Sequence, residues 1–285
     1  MTRINWRLSA LWAVVDMQIL LNEKPIFLKD NETLFSLQSR YFPTADVVIL
    51  NGFPVSCDHP LKEGDEVILF QKGKLPSKEE LEYLMAARHT PRVHKKLKAG
   101  RVAICGCGGL GSHIATALAR SGVGELLLVD FDVVEPTNLN RQQYFIEQLG
   151  MYKTDALKEE IQHINPFITV RTKSIRLTEE NVYKILSGYP IIAEALDNPE
   201  AKAMLVSTVL QKMPDAKIVA GSGMAGMYDS NRILTKHPIK NLYLCGDGES
   251  EAKPGDGLMA PRVMICAGHQ SNMILRLLCK EEDGE

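Results

Sequence analysis

Apolar residues follow two rhythms along this chain, and the change between them falls near Gly73. Before it, Gln18-Ile19-Leu20-Leu21-Asn22 and Ile26-Phe27-Leu28 are short strand-like runs, and Glu23-Lys24-Pro25 between them reads as a hairpin turn. Thr33 is placed to cap a short helix through Leu37. Val47-Val48-Ile49-Leu50 predicts a further strand, broken by the turn dipeptide Asn51-Gly52. Leu61-Lys62-Glu63-Gly64-Asp65 then leads into a last apolar run, Val67-Ile68-Leu69-Phe70.

A connecting helix is expected from Ser77, with Glu80 three residues later as a capping box, and Thr90-Pro91 should break it. Beyond residue 100, helical and strand spacing alternate. Leu110, Ile114, Ala117 and Leu118 predict a helix starting near Leu110. Helices follow over Thr154 to Ile164, Thr178 to Leu186, Asn198 to Lys212 and Pro261 to Leu278. Strands are expected at Ile168 to Val170, Ile191 to Ala193 and Ala216 to Gly221, and Gly246 to Gly257 reads as a mobile loop. The expected fold is α/β: a Rossmann-like, mainly parallel sheet with helices on both faces, preceded by a small α+β module of β-grasp (ubiquitin-like) type. The chain is divided into an N-terminal extension over 1–16, the β-grasp module over 17–75, a connecting helical segment over 76–100 and the large domain over 101–285.

Chemistry concentrates between residues 101 and 141. The apolar run Arg101-Val102-Ala103-Ile104-Cys105 ends in Gly106-Cys107-Gly108-Gly109-Leu110-Gly111. One glycine there allows a tight turn, the next lets backbone approach a phosphate, and the last lets helix pack closely on strand. The helix that follows offers unpaired N–H groups and a partial positive charge to an anion. Asp130 ends the next apolar run nineteen residues after Gly111, which suits an acid that accepts ribose hydroxyls. If the glycines only made a tight turn, Asp130 would have no explanation. Asn138 and Arg141 come right after this strand, Lys153 lies twelve residues further on, and Asp197 falls at the end of a later strand. A dehydrogenase and an ATP-using enzyme share everything up to Asp130. An adenylating enzyme must also neutralise a triphosphate, with cations and usually Mg²⁺ held by carboxylates.

Composition narrows the class. With 285 residues, 45% hydrophobic and 24% charged, the chain can bury a sizeable core. A formal net charge of −2 argues against general nucleic-acid binding, and His94-Lys95-Lys96-Leu97-Lys98 reads as a solvated helix end. The six cysteines form no C-x-x-C pair, so neither structural zinc nor a disulfide framework is indicated, and a cytoplasmic setting is expected. Cys105 and Cys107 flank the first glycine and are assigned to packing. No run reaches the roughly 18 apolar residues of a membrane span. Leu8 to Val15 follows Arg3 and Arg7 but runs into Asp16 without a cleavage site, so it is not read as a signal peptide.

The ordered set Gly106 to Gly111, Val129-Asp130-Phe131-Asp132, Asn138-Leu139-Asn140-Arg141-Gln142, Gly150 with Lys153, Asn165-Pro166 and Leu196-Asp197-Asn198 resembles the ubiquitin-activating-type adenylyltransferases over about residues 88–278. Within them, Val133 to Asn138, Glu200 to Met204 and Glu251 to Arg262 resemble the thiamine-biosynthesis sulfur-carrier adenylyltransferases, in their shorter, zinc-free branch. The resemblance implies ATP and Mg²⁺, with no zinc. It places Gly106, Gly108, Gly109 and Gly111 at the nucleotide, Asp130 at the ribose, and Asp132, Asn138, Arg141 and Lys153 beside the phosphates. Asp197 would hold Mg²⁺, and an arginine from the preceding helix, Arg88 or Arg92, would reach a phosphate, often across a homodimer. The nucleophile implied is the C-terminal carboxylate of a small sulfur carrier protein ending in Gly-Gly. Such a group has a pKa near 3.5 and is already ionised, so no general base is needed.

The opening Met17 to Pro25 and the Asn51-Gly52 … Leu61 to Val67 core resemble a thiamine sulfur carrier, with Met17 fitting its natural start. Its expected Gly-Gly end is replaced by Gly73-Lys74 and more chain, so this module has no free carboxylate and is read as a docking or regulatory element. Two other residues stand out. Cys245 lies in the late loop region where related enzymes carry a sulfur-transfer cysteine, and His269 reads as a packed core histidine. The rival readings are a transfer-RNA-modifying dehydratase of the same superfamily and a non-catalytic scaffold for nucleotide and carrier. A nicotinamide dehydrogenase comes after both. No nucleic-acid or membrane partner is expected.

Overall fold

Asn22 and Glu23 both take left-handed backbone (φ 48° and 61°), so the first hairpin turns there, one step before the expected Glu23-Lys24-Pro25. Asn tolerates this conformation, and its side chain stitches the turn down by bonding Leu69 N–H at 2.9 Å and Leu69 C=O at 3.1 Å. Pro25 is thereby free to sit in an edge strand, where a missing N–H is harmless. The computed structural model describes residues 17–29, 31–87, 89 and 91–280, and of Lys78, Glu79, Pro91 and Arg92 it describes the backbone alone. The segment expected over 1–16, including Leu8 to Val15, lies outside these residues. Two compact units divide between Arg92 and Val93.

The smaller unit runs β1 (Met17–Leu21), β2 (Lys24–Leu28), α1 (Leu34–Tyr41), β3 (Val47–Leu50), β4 (Phe53–Pro54), β5 (Glu66–Phe70) and α2 (Lys78–Ala86). The strands order as β2-β1-β5-β3-β4, with β1 parallel to β5 and the other pairs antiparallel. Thr33 caps α1, which extends to Tyr41, a turn beyond the expected Leu37. Because β3 and β5 are apolar at successive positions, both faces of the sheet need cover. Leu34 and Leu37 of α1 pack with Val48, Val67 and Leu69 on one side. On the other, Tyr83, Leu84 and Ala87, on and just past α2, cover Val47, Ile49, Ile68 and Phe70. Ser77 and Glu80 form the capping box that starts α2.

The larger unit begins within α3 (Pro91–Lys98). It continues through β6 (Arg101–Cys105), α4 (Gly109–Arg120), β7 (Glu125–Val129), α5 (Lys153–Ile164), β8 (Thr169–Lys173) and α6 (Val182–Leu186). Then come β9 (Ile191–Glu194), α7 (Pro199–Lys212), β10 (Lys217–Gly221), β11 (Leu234–Ile239), β12 (Leu242–Gly246) and α8 (Ala260–Cys279). Strand order is β11-β12-β10-β9-β6-β7-β8, parallel throughout except for β11 at the edge. Two apolar clusters fill the space on either side of this sheet, one with α4, α5 and α8 and the other with α6 and α7.

Three expectations change here. Helix α6 starts at Val182, not Thr178, because Asn181 folds its side chain back onto Thr178 N–H (2.8 Å) and Arg176 C=O (2.9 Å), competing with helical pairing. The hairpin β11–β12 was not foreseen: β11 is exposed along its length and carries Lys236 and Pro238, the residue types of an edge. Residues 246–250 are anchored by Asp247, which is 8% exposed, bonds Arg262 of α8 at 2.5 Å and accepts Glu249 and Ser250 N–H, while 251–255 are exposed.

Candidate active site

Parallel strands bring their carboxyl ends to one edge, so Gly106 after β6, Asp130 after β7, Glu194 to Asp197 at the end of β9 and Gly221 of β10 share that edge. Gly106 has φ 94°, and a Cβ there would sit 2.5 Å from the Ala195 carbonyl oxygen. A Cβ on Gly111 would intrude on the Gly106 carbonyl, so helix packing demands that glycine. Gly108 differs: a Cβ would meet nothing nearer than Gln142 Nε2 at 3.8 Å, and no side chain caps the first turn of α4. The protein's own packing requires Gly106 and Gly111, while Gly108 leaves an open cradle at a helix N-terminus. That is the room a phosphate group needs.

Asp130 is buried and accepts Cys107 N–H at 2.6 Å and Asp132 N–H at 2.9 Å. Burial pushes its carboxyl up, against the opposing pull of those N–H groups and of Lys153. It thus shapes the glycine turn itself and keeps acceptor capacity for hydroxyls. Lys153 is 6% exposed and pairs with Asp132 at 3.0 Å. Its backbone N–H also bonds Asp132 C=O at 3.0 Å, which fixes the start of α5 beside the end of β7.

Asn138 spends Oδ1 on Glu135 N–H (3.0 Å), closing a short 3-10 turn whose exit carries Arg141. The Arg141 guanidinium rests on Thr137 C=O (3.0 Å) and Asn140 Oδ1 (2.9 Å). Its backbone is anchored by His113 of α4, whose Nε2 lies 3.2 Å from Arg141 C=O. Since that carbonyl only accepts, the proton is on Nε2, and Gln143 donates to Nδ1 at 2.8 Å. Burial pushes the His113 pKa down, against the opposing pull of the Arg141 carbonyl. Tyr144 donates to Cys107 C=O at 2.6 Å, tying the same segment to the glycine turn. His113, Gln143 and Tyr144 were not singled out in the sequence. Only their placement around Arg141 reveals them.

Asp197 is exposed, three residues past the end of β9. It does not cap α7, because Asn198 does so by accepting Ala201 N–H at 2.8 Å. Glu194 is fully buried and ion-paired with Lys202 of α7. An acid inside the apolar run Ile191 to Ala195 was the sequence signal for it, and it went unread. Arg88 and the Arg92 side chain lie outside the described residues. Cys245 sits inside β12 and not in a loop, fully buried, its thiol pushed up to about 11 by burial. Such a thiol is a packing group. Cys105 and Cys107 are buried too. His269 is half-buried and bonds Thr235 Oγ1 at 3.0 Å, so it is not a core histidine. Among the described residues no three His, Cys, Asp or Glu side chains gather to hold a metal, and no helix is long and apolar enough to cross a membrane.

Fold and site together define a Rossmann-like nucleotide-binding unit joined to a ubiquitin-like unit. The chain belongs to the ThiF family, whose model matches residues 82–285, and residues 17–73 match ThiS-like ubiquitin. The adenylyltransferase and sulfurtransferase MOCS3 of Culex quinquefasciatus is 32% identical over 66% of this chain and 50% of its own length. The tRNA threonylcarbamoyladenosine dehydratase of Haemophilus influenzae is 34% identical over 51% of this chain and 56% of its own. The adenylyltransferase and sulfurtransferase UBA4 of Eremothecium gossypii is 36% identical over 45% and 29%. The chain thus spans between about a third and just over half of these curated relatives. Among solved structures, E. coli tRNA N6-threonylcarbamoyladenosine dehydratase in complex with ATP superposes with a TM-score of 0.65 at 22% identity, covering 73% of this chain and 98% of that one.

Proposed function

We propose that this protein adenylates the C-terminal carboxylate of a small ubiquitin-like sulfur carrier ending in Gly-Gly, using ATP, in the service of thiamine thiazole formation. The observation that carries this is the open cradle at Gly108, with Arg141 and the Lys153–Asp132 pair held on segments tied to the same glycine turn. In this reading Asp130 binds the ribose, Asn138 donates its amide to phosphate, and Arg141 and Lys153 neutralise the triphosphate. Asp197 is the residue that would hold Mg²⁺. A single exposed carboxylate fits that ion, which takes few protein ligands and completes its shell with phosphates and water. When bound, the ion supplies charge neutralisation at the leaving pyrophosphate.

The carrier carboxylate attacks the α-phosphorus, forming the acyl–phosphate bond as the bond to pyrophosphate breaks. The protein aligns two anions and offsets their repulsion, and it moves no proton. The fused ThiS-like unit runs on through Gly73-Lys74 into α2, so it presents no terminal carboxylate and the substrate is a separate carrier. The decisive experiment mixes protein, ATP and Mg²⁺ with candidate Gly-Gly-ended carriers and follows acyl-adenylate by intact mass and pyrophosphate exchange into ATP. Formation of the adduct is expected. Its absence with every carrier, together with no exchange, overturns the proposal. The relative from Haemophilus influenzae favours a second reading, a dehydratase acting on a carboxylate of transfer RNA. Exchange that requires transfer RNA would select it.

A further inference from the structure

We infer that Glu194 and Lys202 are positioning residues for Asp197, holding the loop that carries it against the glycine turn; this rests on the adenylyltransferase reading. Glu194 closes β9 with no exposure to solvent. One carboxylate oxygen accepts Leu196 N–H at 2.8 Å, and the other pairs with the Lys202 ammonium. Lys202 also donates to Gly221 C=O at 2.9 Å, which ties the end of β10 to the same pair. Gln270 of α8 completes the set by donating to Glu194 C=O (3.0 Å) and Val219 C=O (3.1 Å). The loop is clamped from its other side as well. Ala195 N–H bonds Cys105 C=O at 2.8 Å, and the Ala195 carbonyl packs on Gly106, where no Cβ fits. Ala195 and Leu196 are therefore held between the first glycine of the cradle and a buried charge.

Asp197 comes next in the chain, exposed, and among the described residues it has no hydrogen-bond or ion-pair partner. This arrangement is costly unless it is used. A buried ion pair contributes little net stability over apolar groups of the same shape, yet it gives a backbone N–H one strong, directional acceptor. The charge thus sets where the loop places Asp197, and stability is secondary.

The test compares the double variant Glu194→Gln/Lys202→Met, which removes both charges together, with Lys202→Arg, which keeps the pair. ATP binding is measured by calorimetry with and without Mg²⁺, alongside the Mg²⁺ dependence of pyrophosphate exchange. The double variant should melt near wild type and bind metal-free ATP within about twofold. Its Mg²⁺-dependent gain in affinity should fall about tenfold, and its Mg²⁺ requirement should rise to match, the size expected for an outer partner of a metal ligand. Lys202→Arg should behave as wild type. An unchanged Mg²⁺ dependence in the folded double variant overturns the inference. If that variant does not fold, Glu194→Gln alone, which leaves only the partly exposed Lys202 charge with its Gly221 C=O partner, is judged by the same binding measurement. Wild-type protein without exchange on any carrier sinks the functional reading instead, while the Mg²⁺-linked binding still decides this one.

Discussion

In the larger unit the strand ends are where charge gathers: Asp130, Asp132, Lys153, Glu194 and Lys202 are buried or half-buried there, each with named partners. In the smaller unit the strand ends close in polar turns such as Asn51-Gly52, and the sheet faces carry the apolar weight. Helix α1 covers one face of the small sheet. Here α2 covers the other face too, so Ile49 and Ile68 are spent on the chain's own packing. One unit retains uncompensated polar capacity at an edge, as a ligand site must. The other covers both faces of its sheet with its own helices, while Phe27, Phe53 and Leu75 stay exposed. The difference is that between a sheet edge where charges and an uncapped helix start collect and a sheet whose two faces are closed by its own helices.

Four experiments would break or sharpen that contrast, taken from the largest expected effect down. Gly111→Val drives a side chain into the Gly106 carbonyl, so ATP binding should be lost altogether, read by calorimetry, with the smaller unit still folded by circular dichroism. Next, Arg141→Ala or Lys153→Ala should lower pyrophosphate exchange at least a hundredfold while leaving the melting temperature within a few degrees. Normal exchange in both removes these residues from the phosphate site. Third, Tyr83→Ala strips an aromatic ring from the covered sheet face and should destabilise the smaller unit by about 3 kcal/mol in denaturant, with ATP affinity unchanged.

The smallest effect concerns pH. Burial pushes the Glu160 carboxyl of α5 up to about 7 from an ordinary 4.5. A carboxyl raised in the folded state lends stability below pH 4.5 and loses that contribution as pH climbs through 7. Glu160→Gln should therefore raise stability at pH 8 by about 1 to 3 kcal/mol and leave it unchanged near pH 4. Equal gains at both pH values would show that the carboxyl is not the cause.

Much of the site was legible because its signals are local. The turn from Gly106 to Gly111 and Asp130 at its strand end lie within one short window whose spacing carries meaning, while the ordered set Asn138, Arg141, Lys153 and Asp197 is read only through the family resemblance. The partners that fix them are distant in sequence. Glu194 meets Gln270 across 76 residues, and His113 meets Arg141 across 28. Strand β11 escaped because an exposed strand with Lys236 and Pro238 has no apolar rhythm to read, whereas β12 carries a short apolar run, Leu242 to Cys245, that does signal a strand. Cys245 ends that apolar run, and its place in β12 shows it buried and not in a loop.

Sequence alone determined the two-unit plan, the parallel sheet and the glycine turn, because hydrophobic period, turn residues and glycine sterics act over a few residues. Tertiary structure alone decided which acid pairs with which cation and which face of the small sheet is covered. Those outcomes depend on burial and on contacts between segments tens of residues apart, and no local pattern encodes either.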